Sequence, residues 1–314
     1  MRAMGTLVGH VAPGLGFLLI GIWHLYNNIK LFSLHPNTYR SLPWFPAPKL
    51  RRLELLLIAI GSSVSIAMEL FIGPARHQPF DPDFTIPSYH LHNFEHASIS
   101  LSFLIYAVFA TALDHRAGRP AARQALTVLA AAAAFGQQFL LFRLHSADHE
   151  GVEGQYHWLL QLVVGVSFAT TLMGISHPCS FPVAFVRSNS ITLQGLWFIL
   201  MGYALWTPKL IPKGCFMNAE DGHYVVRCRS DDELRRAKSL VNIEFSWLFA
   251  TVVAFSLLCY LLLSKKFEKV SEYDAIEEEE LENLELGKMT DSKLQESDSF
   301  AHMERVMRSI ELER

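Results

Sequence analysis

Fourteen histidines in 314 residues are many, and their placement matters more than their number. His92 and His96 are four residues apart, as are His145 and His149. On a helix that spacing sets two imidazoles on one face, as in helical zinc sites. Carboxylates stand close by: Glu95 adjoins His96, Asp148 adjoins His149, and Glu69 is the one charge between Ser62 and Ile72. Three nitrogen or oxygen ligands plus a water make a catalytic zinc centre, in which the metal lowers the pKa of its bound water to about 7. Two histidines on facing helices could instead ligate haem iron axially. No complete HExxH motif is present. Against both readings stands a plainer one, in which interfacial histidines sit half wet at headgroup depth and polar side chains hydrogen-bond across helices as glue.

Elements that could gather these residues are apolar blocks. The chain is 51% hydrophobic, and its apolar residues fall in repeated runs of the roughly 20 residues needed to cross a bilayer. Candidate spans are Leu7–Tyr26, Leu53–Ile72, His92–Leu113, Gln124–Phe142, Tyr156–Ser176, Ile191–Trp206 and Phe245–Leu263. The expected fold is therefore an all-α polytopic membrane bundle of about seven helices. It occupies residues 1–264, followed by an acidic, largely disordered tail over 265–314. The apolar start carries His10, Pro13 and His24 and lacks a small-residue cleavage site, so it reads as a retained first span. Charges are confined to connectors and tail, which leaves no basic face for nucleic acid.

Lys and Arg in short connectors set orientation. Lys30, Arg40, Lys49, Arg51 and Arg52 fall in the first; Arg116, Arg119 and Arg123 in the third; Arg187 in the fifth; Lys265, Lys266 and Lys269 open the tail. This puts the N-terminus outside or lumenal and the C-terminus in the cytosol. The sixth connector is itself rich in basic residues, but it is longer and also holds Glu220, Asp221, Asp231, Asp232 and Glu233. It contains Cys215 and Cys228, which would be bridged in an oxidising lumen and free thiols otherwise.

With this topology His10, Glu69, Glu95, His96, His145 and His157 all fall at the outer face. They are the candidate metal ligands, with Glu69 or Glu95 a ligand, an orienter of a ligand or a general base. Glu69 could equally pair with a histidine or with Arg143. His24, His35, His115 and His177 map to the opposite face, where Glu54 follows Arg51 and Arg52 and reads as a salt-bridged interfacial carboxylate.

Several elements together resemble the transmembrane protein 45 family, which has plant members. They are Gly9–His10 with Pro13–Gly14, Glu69, Glu95–His96–Ala97–Ser98, Phe142 to His145 with His157–Trp158–Leu159–Leu160, and Gln194–Gly195–Leu196–Trp197–Phe198 leading to Gly202–Tyr203. The resemblance runs from Gly5 to Leu263. It implies a multi-pass membrane protein of about seven spans and matches His10, His96, His145 and His157 to family positions, but brings no activity. The long sixth connector and the tail depart from it.

Three functions are carried forward. One is a zinc-dependent membrane hydrolase, similar in broad outline to the seven-helix alkaline ceramidases. A second is a transporter or ion conductor using Glu69 and the histidines, with a haem-binding carrier as its variant. A third is a scaffold or trafficking protein whose tail docks a cytosolic partner, through the helical spacing of Phe300, Met303, Met307 and Ile310 or the Tyr273–Ile276 sorting pattern. The bilayer is the partner common to all three.

Overall fold

The computed structural model describes residues 2–73, 78–116, 119–144, 151–220 and 223–270, in an all-α architecture. His145, Asp148, His149 and the tail calls from Tyr273 onward lie outside these residues. Contacts divide the chain into Met1–Leu263 and Ser264–Arg314. In the second unit, residues 264–270 are described and are helical.

The described residues form seven long helices: α1 (Arg2–Leu34), α2 (Leu53–Ala67, continued by a π-helical turn, Met68–Ile72), α3 (Leu91–His115), α4 (Pro120–Leu144), α5 (Gly151–Ser176), α6 (Phe181–Trp206) and α7 (Asp231–Val270). All but α6 are long and apolar enough to cross a membrane, by length and composition. Their outward faces are apolar: Leu57, Ile60 and Val64 of α2 and Trp247, Leu261 and Leu262 of α7 are all more than half exposed. A contiguous apolar surface of this extent is tolerated in lipid and not in water. The chain is an integral, multi-pass membrane protein.

The sixth helix falls short in hydropathy because protein, not lipid, surrounds it. It packs along α1 and α5, with Trp197 edge-on to Phe245 of α7 at 5.0 Å between ring centroids. Ser188, Thr192, Gln194, Trp197 and Met201 of α6 are almost wholly buried. Polar side chains cost little there when paired: Gln194 donates to Gln138 of α4 at 3.0 Å, and Ser190 accepts from Ser167 of α5 at 2.9 Å. The chain enters α6 through Ser180, whose hydroxyl accepts from the Val183 amide, followed by Pro182 in the first turn.

Small residues let α1 approach α6 backbone to backbone. A Cβ on Gly21 would lie 2.5 Å from the Thr192 backbone nitrogen, and one on Gly195 would meet the Leu18 backbone. The helices also run longer than hydropathy alone marks. α7 starts at Asp231, fourteen residues before its apolar stretch, because Ser230 caps it and its buried Ala237 and Val241 join the cluster around Leu205 and Trp206.

The sixth connector is a hairpin rather than an irregular loop. Its strands are β1 (Cys215–Glu220) and β2 (His223–Cys228), antiparallel with Cys215 opposite Cys228. These cysteines form a disulfide, and Val226 buries against Val152, Trp206 and Ala237. With 13 residues of separation, the bridge should contribute about 3 kcal/mol by restricting the unfolded chain. Cys215→Ser/Cys228→Ser is expected to lower the melting temperature in detergent, and wild-type protein should shift equally on reduction. Melting curves unchanged by either treatment would show that the hairpin is not stabilised by its bridge.

Candidate functional site

A carboxylate near each end of α2 organises the polar chemistry. Fifteen residues of helix separate Glu54 from Glu69, about 22 Å at helical rise. Each is bonded to an imidazole on a neighbouring helix.

At the Glu69 end, Nδ1 of His96 lies 3.2 Å from Glu69 Oε1, and the Asn93 amide donates to Oε2 at 2.7 Å. His96 and Asn93 lie three residues apart on the first turns of α3, so both reach the same carboxylate. His92 stands edge-on to His96 at 6.2 Å, and His90, buried on a 3₁₀ turn, is 3.3 Å from Asn93 Oδ1. Glu69 sits on the π-helical turn, where Met68 O accepts from Gly73 N. Such turns interrupt α-helices frequently at functional sites. The His96 and Glu69 side chains are 33% and 21% exposed, so the pair is reachable from outside the protein.

One turn further into α2 and α3, Ser65 and Ser100 share a hydrogen bond of 2.8 Å. Beyond them the interface is apolar, built from Ile58 and Phe103, until Tyr106 donates to the Pro43 carbonyl.

At the opposite end, His24 Nε2 of α1 lies 2.7 Å from Glu54 Oε1, with both side chains 5% exposed. Glu54 Oε2 accepts from the Phe45 amide at 2.9 Å. The sequence reading of Glu54 as a salt-bridged interfacial carboxylate holds for the ion pair, made with His24, but not for the interface: Arg51 and Arg52 bind Asp114 of α3, while Glu54 faces inward. The reason is the connector of residues 35–52, which folds beneath the bundle and buries Tyr39, Ser41, Trp44 and Phe45. Tyr39 donates to Asn28, and Asn28 donates to Ser188. Burial pushes the Tyr39 hydroxyl up to about 12, so it stays a protonated donor. Arg187 lies in α6 rather than in a loop. It is buried and donates to Ser41 Oγ at 2.8 Å and the Leu42 carbonyl at 3.4 Å.

The other described candidates, His10, Glu95 and His157, fall elsewhere at the Glu69 end. His10 and His157 face each other across α1 and α5, ring centroids 5.9 Å apart. His10 is also 4.5 Å from the Trp206 ring. His157 Nδ1 is 3.1 Å from the Glu153 carbonyl, and Phe142 is 6.2 Å from its ring. Glu95 is half-buried on α3 but, one residue from His96, lies on a different face of the helix. Glu244 accepts from Tyr156 at 2.7 Å. Among the described residues no three His, Cys, Asp or Glu side chains come together in a group that could hold a metal. The site is thus a set of pairs.

Residues 124–261 match the model of a family of unknown function (DUF716). That segment spans most of α4, all of α5 and α6, the hairpin and most of α7. It includes His157, the Gln194–Phe198 run and both bridged cysteines, and it ends short of α1, α2 and α3, which carry the two imidazole–carboxylate pairs.

Proposed function

We propose that this membrane protein carries protons, or a cation exchanged for protons, between the two faces of the bilayer by way of the paired ends of α2. One observation carries the reading: each end of α2 presents a carboxylate bonded to a histidine, and the two pairs differ in access. Imidazole is the side chain that changes charge near neutral pH, and ionisable groups at membrane depth typically mark proton relays or ion pathways. The Glu69–His96 pair is open to its side, whereas His24–Glu54 is sealed beneath the first connector. A carrier resting with one gate open and the other shut has this arrangement. The apolar stretch at Ile58 and Phe103 is where the route is closed.

In this reading the N-terminus is outside or lumenal and Glu69–His96 is the outer pair. The basic first connector then lies in the cytosol and the disulfide-bonded hairpin in an oxidising compartment, which supports the orientation. Glu69 and His96 are two of the donors a zinc ion would need, so zinc is one cation the site could take. The paired ends of α2 favour carriage over hydrolysis and haem ligation, and the tail residues that a scaffold would use lie outside the described residues. The resemblance to the transmembrane protein 45 family fits, since its His157 and Gln194–Phe198 elements lie within the matched segment. Purified protein in sealed vesicles under an imposed pH gradient tests the proposal. Flux that exceeds empty vesicles supports it, and flux equal to them overturns it.

A further inference from the structure

We infer that the groove between α2 and α3 at the Glu54 end seats the acyl chain of an anionic phospholipid, whose phosphate binds Arg51 and Arg52. The inference needs only that these helices span a membrane, and it stands whether or not protons are carried. The groove is lined by Leu55, Leu56 and Ala59 from α2 and Ala107 and Val108 from α3, with Arg52 at its mouth. Leucine and alanine of α2 and alanine and valine of α3 make a surface suited to a hydrocarbon chain.

Charge selects the headgroup. Arg51 and Arg52 share a single carboxylate, Asp114, at 3.0 and 2.8 Å. The other nearby acid, Glu54, is turned inward to His24 and the Phe45 amide, so it neutralises nothing at the groove mouth. Two guanidinium groups against one carboxylate leave net positive charge at the groove mouth. Each guanidinium has five N–H donors; Asp114 takes some from both and His115 Nε2 lies 2.5 Å from one Arg52 nitrogen, and the remainder suit phosphate oxygens. Arg51 is held over the buried Trp44 ring, 5.8 Å from its centroid, so this cation is positioned rather than free to sweep the surface. A zwitterionic lipid would fill the same groove without using the excess charge.

Native mass spectrometry of the full chain released from nanodiscs gives the test. The discs contain phosphatidylcholine alone or phosphatidylcholine doped with phosphatidylglycerol. Retention of phosphatidylglycerol over phosphatidylcholine is expected. Arg51→Gln/Arg52→Gln should weaken it roughly twenty-five-fold, at about five-fold per basic residue removed from an anionic surface. Val108→Trp, which fills the groove from an exposed wall, should release the lipid while leaving both arginines in place. Melting in phosphatidylcholine alone checks that each variant is folded. Equal retention of the two lipids overturns the inference, as does phosphatidylglycerol binding that survives both variants. Binding lost in the arginine variant but intact in Val108→Trp would mean surface attraction without a seat in the groove, and overturns it too.

Discussion

Gly195→Leu is expected to prevent accumulation of folded protein. α1 and α6 pack backbone to backbone, and at Gly195 the space a Cβ needs is occupied by the Leu18 backbone. A flexible side chain could move aside, but a helix backbone cannot do so without separating the two helices. Overpacking of this kind costs about 3 kcal/mol or more, against a total stability of roughly 5–15 kcal/mol. Separation would also unseat Asn28 from Ser188 and His10 from Trp206, both of which depend on the same pairing. Gly16→Leu provides the comparison, because a Cβ there meets nothing within 4 Å and the residue faces outward. It should behave like wild type in yield and in elution on size exclusion. Equal yields for the two variants would show that the close approach does not hold the bundle together.

Glu54→Ala is expected to be the most damaging change among the polar residues. The carboxylate satisfies His24 and the Phe45 amide at once in a site almost closed to water. Removing one partner of a buried pair costs about 3–5 kcal/mol, because what remains is desolvated and unpaired. The connector of residues 35–52 would lose its anchor at Phe45, and with it the seal over that end. Glu54→Gln should be far milder, since its amide can accept from Phe45 and donate to His24. Thermal melting should therefore rank wild type above Glu54→Gln and both well above Glu54→Ala. Coincident melting of all three would mean that the pair contributes nothing to the fold.

Different parts of this architecture left very different traces in the sequence. The apolar blocks marked six helices directly, because a lipid-facing surface must be apolar on its own account. α6 was found by its apolar C-terminal half, and its start ran back to Phe181 through Arg187, Asn189 and Ser190, residues that a hydropathy criterion rejects. α7 likewise began in the charged Asp231–Asn242 stretch, where a capping serine and two inward-facing small residues make helix without a long apolar run. Glu69 stood out as a lone charge, and its partnership with a histidine was one of two pairings the topology offered. Topology put His24 and Glu54 at one face but gave no reason to pair them. The two residues are 30 apart, and they meet because a connector folds back under the bundle, which periodicity cannot show. Span order and the family resemblance put His10 and His157 at one end, yet neither showed that Trp206 and Phe198 would pack on the His10 ring and Phe142 on that of His157.

The measurement that bears most directly on proton carriage is flux into sealed vesicles holding a pH-sensitive dye, with wild type beside Glu69→Gln and Glu54→Gln. Both substitutions keep a hydrogen-bonding amide in place, so folding and proton handling are separated. The expected result is flux in wild type that falls at least about ten-fold in each variant while all three remain folded, consistent with loss of a group that exchanges protons. Wild-type flux no greater than that of empty vesicles, or unchanged flux in folded Glu69→Gln, would contradict it.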